Sequence, residues 1–192
     1  RMTTVYIIVK YLTFVGAYMK GFFEQLSCRV YEVLIEDGRY LPTTELCGHV
    51  EHEIIKKRSV SFGVCFFPFL FNLILGLVFV SVGSMNVYFL GEFFTYNKGI
   101  VHILNFVFLW LGISMLTNLF PQIEDALTLR ELNYGKNTNI VLKILAAPIF
   151  AVLYCGAFLE RWGITFLTSI AFSLAVPSIY ATFLPSLIGA MQ

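Results

Sequence analysis

Residues 61–82 read SFGVCFFPFLFNLILGLVFVSV, a run without one charged side chain. A helix that crosses a bilayer needs roughly 20 mostly apolar residues, and this block supplies them, with Val64-Cys65-Phe66-Phe67-Pro68-Phe69-Leu70-Phe71 near its start. Four further candidate spans flank it, at about 3–19, 99–120, 140–158 and 163–184. Lys10 interrupts the first. Pro177 and Pro185 are expected to kink or end the last, because proline removes a helix hydrogen bond and clashes with the preceding turn. The expectation is an α-helical polytopic membrane protein: one membrane domain over residues 1–192, with about five transmembrane helices.

Composition agrees. The chain is 58% hydrophobic and 13% charged, with mean hydropathy +0.78, where a soluble domain carries about 25% charged residues. So few charges cannot clothe 192 residues in polar surface. The net charge is +1 and the basic residues are scattered, so no nucleic-acid partner is expected. The expected surroundings are the lipid bilayer. Cys28, Cys47, Cys65 and Cys155 form no C-x-x-C pair; Cys65 and Cys155 read as packing residues, and Cys28 and Cys47 as reduced thiols.

The longest polar stretch, the loop 20–60, should begin helically and then change character, with a small β-hairpin-like element between the first and second spans. Val30–Ile35 is β-prone, Asp37-Gly38 is a turn signal, and Cys47–Ile55 is compatible with a second strand. The loops 20–60 and 121–139 hold most of the lysine and arginine, whereas the other side has Arg1, Lys98 and Arg161. The positive-inside rule then puts both loops in the cytoplasm, across the cytoplasmic membrane. A re-entrant segment at 85–96 would alter that topology. Gly76 and Gly83 offer weak signals of close helix contact, Tyr88, Tyr96 and Trp162 read as interface anchors, and Glu160-Arg161 reads as the charged turn between the last two spans.

Polar groups at membrane depth are costly and mark function by default. They gather at Phe22-Phe23-Glu24-Gln25-Leu26-Ser27, at Pro68 with Asn72, and at Asn118-Leu119-Phe120-Pro121-Gln122-Ile123-Glu124-Asp125. Glu24 and Asp125 have an equally simple reading as interfacial acids facing water.

The order of these features resembles the intramembrane zinc metalloproteases of the site-2 type, in a small bacterial and archaeal branch. That family carries His-Glu-x-x-His on one helix and a third ligand, Asp, a few residues after Asn-x-x-Pro. Asn118, Pro121 and Asp125 match the second motif, with the Asp about one position early; Asn72 after Pro68, and Cys47–Glu53, also resemble that branch. The resemblance spans about 16–126. It implies that Glu24 corresponds to the catalytic glutamate and that Phe23, Ser27 and Asp125 occupy the ligand positions.

The departure lies in the ligands. A catalytic zinc needs three protein donors. Phe23 has no lone pair and a neutral Ser27 hydroxyl is a poor ligand, so Glu24 is degenerate and no metal or other cofactor is expected. Among the histidines, His49 and His52 would fall on opposite faces of a strand, and His102 reads as a packing residue near Asn105. The expected function is non-catalytic: a site-2-protease-like scaffold that binds a membrane protein partner or a substrate helix. Two alternatives stay open: an active metallopeptidase with a rearranged ligand set that includes zinc, or an unrelated transporter or structural subunit. If the resemblance holds, Glu24 and Asp125 should approach each other, with Lys20 as the cation between them.

Overall fold

The computed structural model describes residues 4–39, 49–89, 100–135 and 140–190. Among them the chain forms seven α-helices and one two-stranded sheet: α1 (Thr4–Leu12), α2 (Phe14–Val30), β1 (Ile35–Arg39), β2 (His49–His52), α3 (Arg58–Ser84), α4 (Ile100–Thr117), α5 (Ile123–Tyr134), α6 (Ile140–Arg161) and α7 (Ile164–Ala190). A π-helical turn, Met85–Phe89, prolongs α3. The remainder of the 85–96 segment, Tyr96 included, lies outside the described residues, as does Cys47.

Among the described residues three helical stretches are long and apolar enough to cross a membrane: Arg58–Tyr88, Lys143–Arg161 and Ile164–Phe183, with Ile103–Thr117 a shorter apolar one. The polar stretch 20–60 begins helically as expected, with α2 running on to Val30. Several other expectations need correction. The segment 121–139 is not a loop, since α5 fills most of it. Pro177 and Pro185 do not end α7. Asp37-Gly38 is not the hairpin turn; both residues sit inside β1, which pairs antiparallel with β2 through Gly38 opposite Val50 and Ile35 opposite His52. A register irregularity between Ile35 and Asp37 accommodates the extra residue. Cys155 is exposed, whereas Cys28 and Cys65 are buried, and all three are free thiols. Trp162 and Tyr88 are exposed, as anchors would be.

The local chemistry explains the breaks. Thr13 separates α1 from α2, with its hydroxyl donating to Val9 O at 2.7 Å; a β-branched hydroxyl that bonds back to the preceding turn disturbs a helix there. At the other end of α2, Glu32 takes a left-handed φ of 56°. Val33 N donates to Cys28 O at 2.8 Å and Glu32 N to Arg29 O at 3.3 Å, the paired bonds that satisfy the last carbonyls of a helix and turn the chain. The chain then enters β1. Cys28, Ile55 and Val64 are buried together with Tyr31, Val33 and Ile35 packed around them, which seats the sheet on α2 and α3.

At the centre α3 packs along α4, and α2 and α7 pack against both. Val80, Leu109, Leu116 and Val176 form the core of this contact. Gly83 meets the Leu109 backbone and Gly112 the Val80 backbone, so closely that neither position has room for a Cβ. Small residues at such crossings allow helix backbones to touch. Gly112→Ala is expected to destabilise the protein by about 1–3 kcal/mol through overpacking, read as a lower melting temperature in detergent.

Candidate functional site

The buried face of α2 carries Gly16, Ala17, Lys20, Glu24, Ser27 and Cys28, spaced so that one stripe of the helix faces the interior. Glu24 Oε2 accepts the Val50 N–H of β2 at 3.2 Å. Asp125 lies in the first turn of α5, where the helix dipole favours a carboxylate. Its Oδ1 stands 3.5 Å from His52 Nε2, on the same strand. β2 therefore lies against both acids, Glu24 accepting its Val50 N–H and Asp125 facing the His52 side chain two residues on. Alternation along the strand points Val50 and His52 to the same side. His49 opens β2, but its side chain, like that of His102, lies outside the described residues.

Glu24 and Asp125, remote in sequence, thus converge on one strand, and their charges interact. Lys20 is placed differently from expectation. It is fully buried, and its ammonium donates to Phe120 O and lies 3.4 Å from Glu160 Oε1. The Lys20 charge still acts on both acids, as expected of it, while the direct contact of Asp125 is with His52.

The motif asparagines meet each other. Asn72 Nδ2 donates to Asn118 O at 2.8 Å. Asn118 is fully buried, and its Nδ2 donates to Thr13 O, Thr13 Oγ1 and Ser114 O at 3.1, 3.0 and 2.8 Å. Its Oδ1 accepts from Lys10 Nζ at 2.6 Å. Pro121 is buried in the short connection between α4 and α5, where a residue without an N–H fits because the helix has just ended.

Sequence reasoning missed the charged centre of this network. Glu160 is not a turn residue; it is buried in the last turn of α6. Its Oε1 lies 2.7 Å from Lys10 Nζ, and its Oε2 accepts the Phe120 N–H at 2.9 Å. Lys10 is buried too. The available signal was the pair itself: a lysine inside one apolar run and a glutamate at the edge of another, each too costly to bury alone.

The ligand positions implied by the resemblance hold other contacts. Phe23 stacks on Phe71 with ring centroids 4.9 Å apart, and the Ser27 hydroxyl donates to Phe23 O at 2.8 Å. One residue offers no lone pair and the other spends its hydroxyl on its own helix, so this pair does not fit a catalytic zinc. Among the described residues no group of three His, Cys, Asp or Glu side chains is placed to hold a metal ion.

No protein-family model, characterised protein or solved structure matches this chain.

Burial, and next the charge of Glu24, push the Asp125 carboxyl from 3.8 to about 7. Between those values the folded protein holds a proton that the unfolded chain has released, so stability falls as pH rises across that window and levels off above it. Melting temperatures across the window should decline with pH, and Asp125→Asn should flatten the curve. An Asp125→Asn curve as steep as the parent's would show that this carboxyl carries none of the dependence.

Proposed function

We propose that this chain is an integral membrane protein of several spans, built on a site-2-protease-like core. Its role is non-catalytic: it binds a membrane partner or an extended partner segment at the hairpin. One observation carries the reading. The Glu24 carboxylate accepts a backbone N–H of β2, so the residue at the family's catalytic position acts as a strand anchor. The three apolar helices long enough to span support the membrane placement. The hairpin supports the binding role, because the outer edge of a two-stranded sheet is a template for strand addition.

The cytoplasmic side holds Lys56–Arg58 and Arg130. In support, Arg58 Nε donates to Leu132 O at 2.9 Å, which joins the start of α3 to the last turn of α5. Labelling of a cysteine at position 57 from outside intact cells would reverse this orientation.

Glu24→Gln keeps an oxygen for Val50 N–H and removes any general base. It is expected to leave partner binding unchanged, measured by photo-crosslinking from Ile54, which is 81% exposed beside the hairpin. Stoichiometric zinc in the purified protein, lost on chelation together with proteolysis of a membrane substrate, would replace this reading with the metallopeptidase.

A further inference from the structure

Between β2, α3 and the start of α5 lies a cleft of about 150 Å³. Ser61, Val64 and Cys65 of α3 are its buried floor, and His52 and Asp125 face each other in its wall. Glu53 and Glu124 are exposed at its mouth. No lysine or arginine lines it among the described residues. Its rim and wall therefore present three carboxylates and one imidazole.

The imidazole decides what is missing. His52 Nδ1 stands 2.9 Å from Glu53 O. A carbonyl only accepts, so Nδ1 carries the proton, and in the neutral ring Nε2 is left as an acceptor. The His52 side chain is 10% exposed, and Nε2 has no hydrogen-bond partner among the described residues. It faces Asp125 Oδ1 at 3.5 Å. Once Asp125 is ionised, two acceptors face each other with no donor between them among the described residues, and each such group costs free energy until a donor arrives. A single N–H would serve one of them; a fork of N–H groups serves both and also balances the acids.

We propose that this cleft receives an arginine side chain of the partner segment held at the hairpin. The assignment rests on the binding role proposed above and names its chemistry. A guanidinium offers five N–H donors in a rigid plane and matches carboxylates in pairs. The cleft has room for it, holding about five waters' worth of volume at ~30 Å³ each. Val64 and Ile55 provide apolar wall for the aliphatic stem.

The test uses the full chain in detergent, buffered above about pH 7 so that Asp125 is ionised, with butylguanidinium as probe and butylurea as its neutral counterpart, followed by titration calorimetry. Saturable one-to-one binding of butylguanidinium alone is expected, weakened about tenfold or more by Asp125→Asn. His52→Gln and Glu124→Gln should weaken it as well; Glu124 is exposed, so that variant keeps the measurement meaningful if Asp125→Asn fails to fold. Equal binding of the two probes, no binding, or indifference to all three substitutions overturns the proposal. So does displacement of butylguanidinium by equimolar zinc chloride, which would assign the cleft to a metal. Crosslinking from Ile54 separates the two readings. A crosslinked partner without butylguanidinium binding removes the arginine cleft and leaves the binding role. Butylguanidinium binding without a crosslinked partner assigns the cleft to a free cation and overturns the arginine of a partner.

Discussion

Glu160→Ala is expected to cost about 3–5 kcal/mol of folding stability, the penalty for breaking a buried ion pair from one side. The carboxylate takes three groups at once: Lys10 Nζ, Lys20 Nζ and the Phe120 N–H. Removing it leaves two buried ammonium groups without their shared counter-charge, in a region where water cannot replace it. The charges, not the volume, should dominate the loss. The combined variant Glu160→Leu, Lys10→Met, Lys20→Met should therefore recover most of it, because buried ions exchanged for apolar groups of similar size are often neutral. The Phe120 N–H would still lack a partner, so a deficit of about 1–3 kcal/mol should remain. Denaturant unfolding in detergent micelles measures both. If Glu160→Ala alone lies within about 1 kcal/mol of the parent, the lysines reach water and the network is not the clamp described here.

The long helices were legible where apolar runs were long. Ser61–Val82 announced α3 because no charge interrupts it, and 163–184 announced α7 in the same way. α5 was not legible, because its sequence is polar on average and is helical through its packing on α6 and α3. The hairpin was anticipated, but its turn was misplaced. Asp37-Gly38 has turn chemistry, yet the pairing of β1 with β2 takes these residues into the ladder. At the site, Glu24 and Asp125 both reach β2, and Asn72 meets Asn118, as two separate pairs. Lys10, Glu160 and His52 were discounted residue by residue. Each acquires its role from a partner far away in sequence, and spacing along one chain segment carries no trace of such a partner.

Asn118→Ala is expected to destabilise by about 2–4 kcal/mol, since buried polar groups left unpaired cost about 1–3 kcal/mol each. Its side chain bonds Lys10, Thr13 and Ser114, and its carbonyl accepts from Asn72. These contacts tie α1, α2 and α3 to the end of α4, and so fix where α5 begins and where Asp125 points. Asn72→Ala should cost less, about 1 kcal/mol, because Asn72 Oδ1 has no hydrogen-bond partner among the described residues to lose. Asn118→Asp is the more informative variant. It retains an oxygen for Lys10 and adds a charge that attracts it. It also replaces the Nδ2 donor with an acceptor aimed at Thr13 O, Ser114 O and a Thr13 hydroxyl already committed to Val9 O. Acceptors facing acceptors repel, so Asn118→Asp should be at least as damaging as Asn118→Ala. Unfolding midpoints in detergent decide the order. An aspartate better tolerated than alanine would mean that the lysine pairing, and not the fan of donors from Nδ2, sets the geometry at this junction.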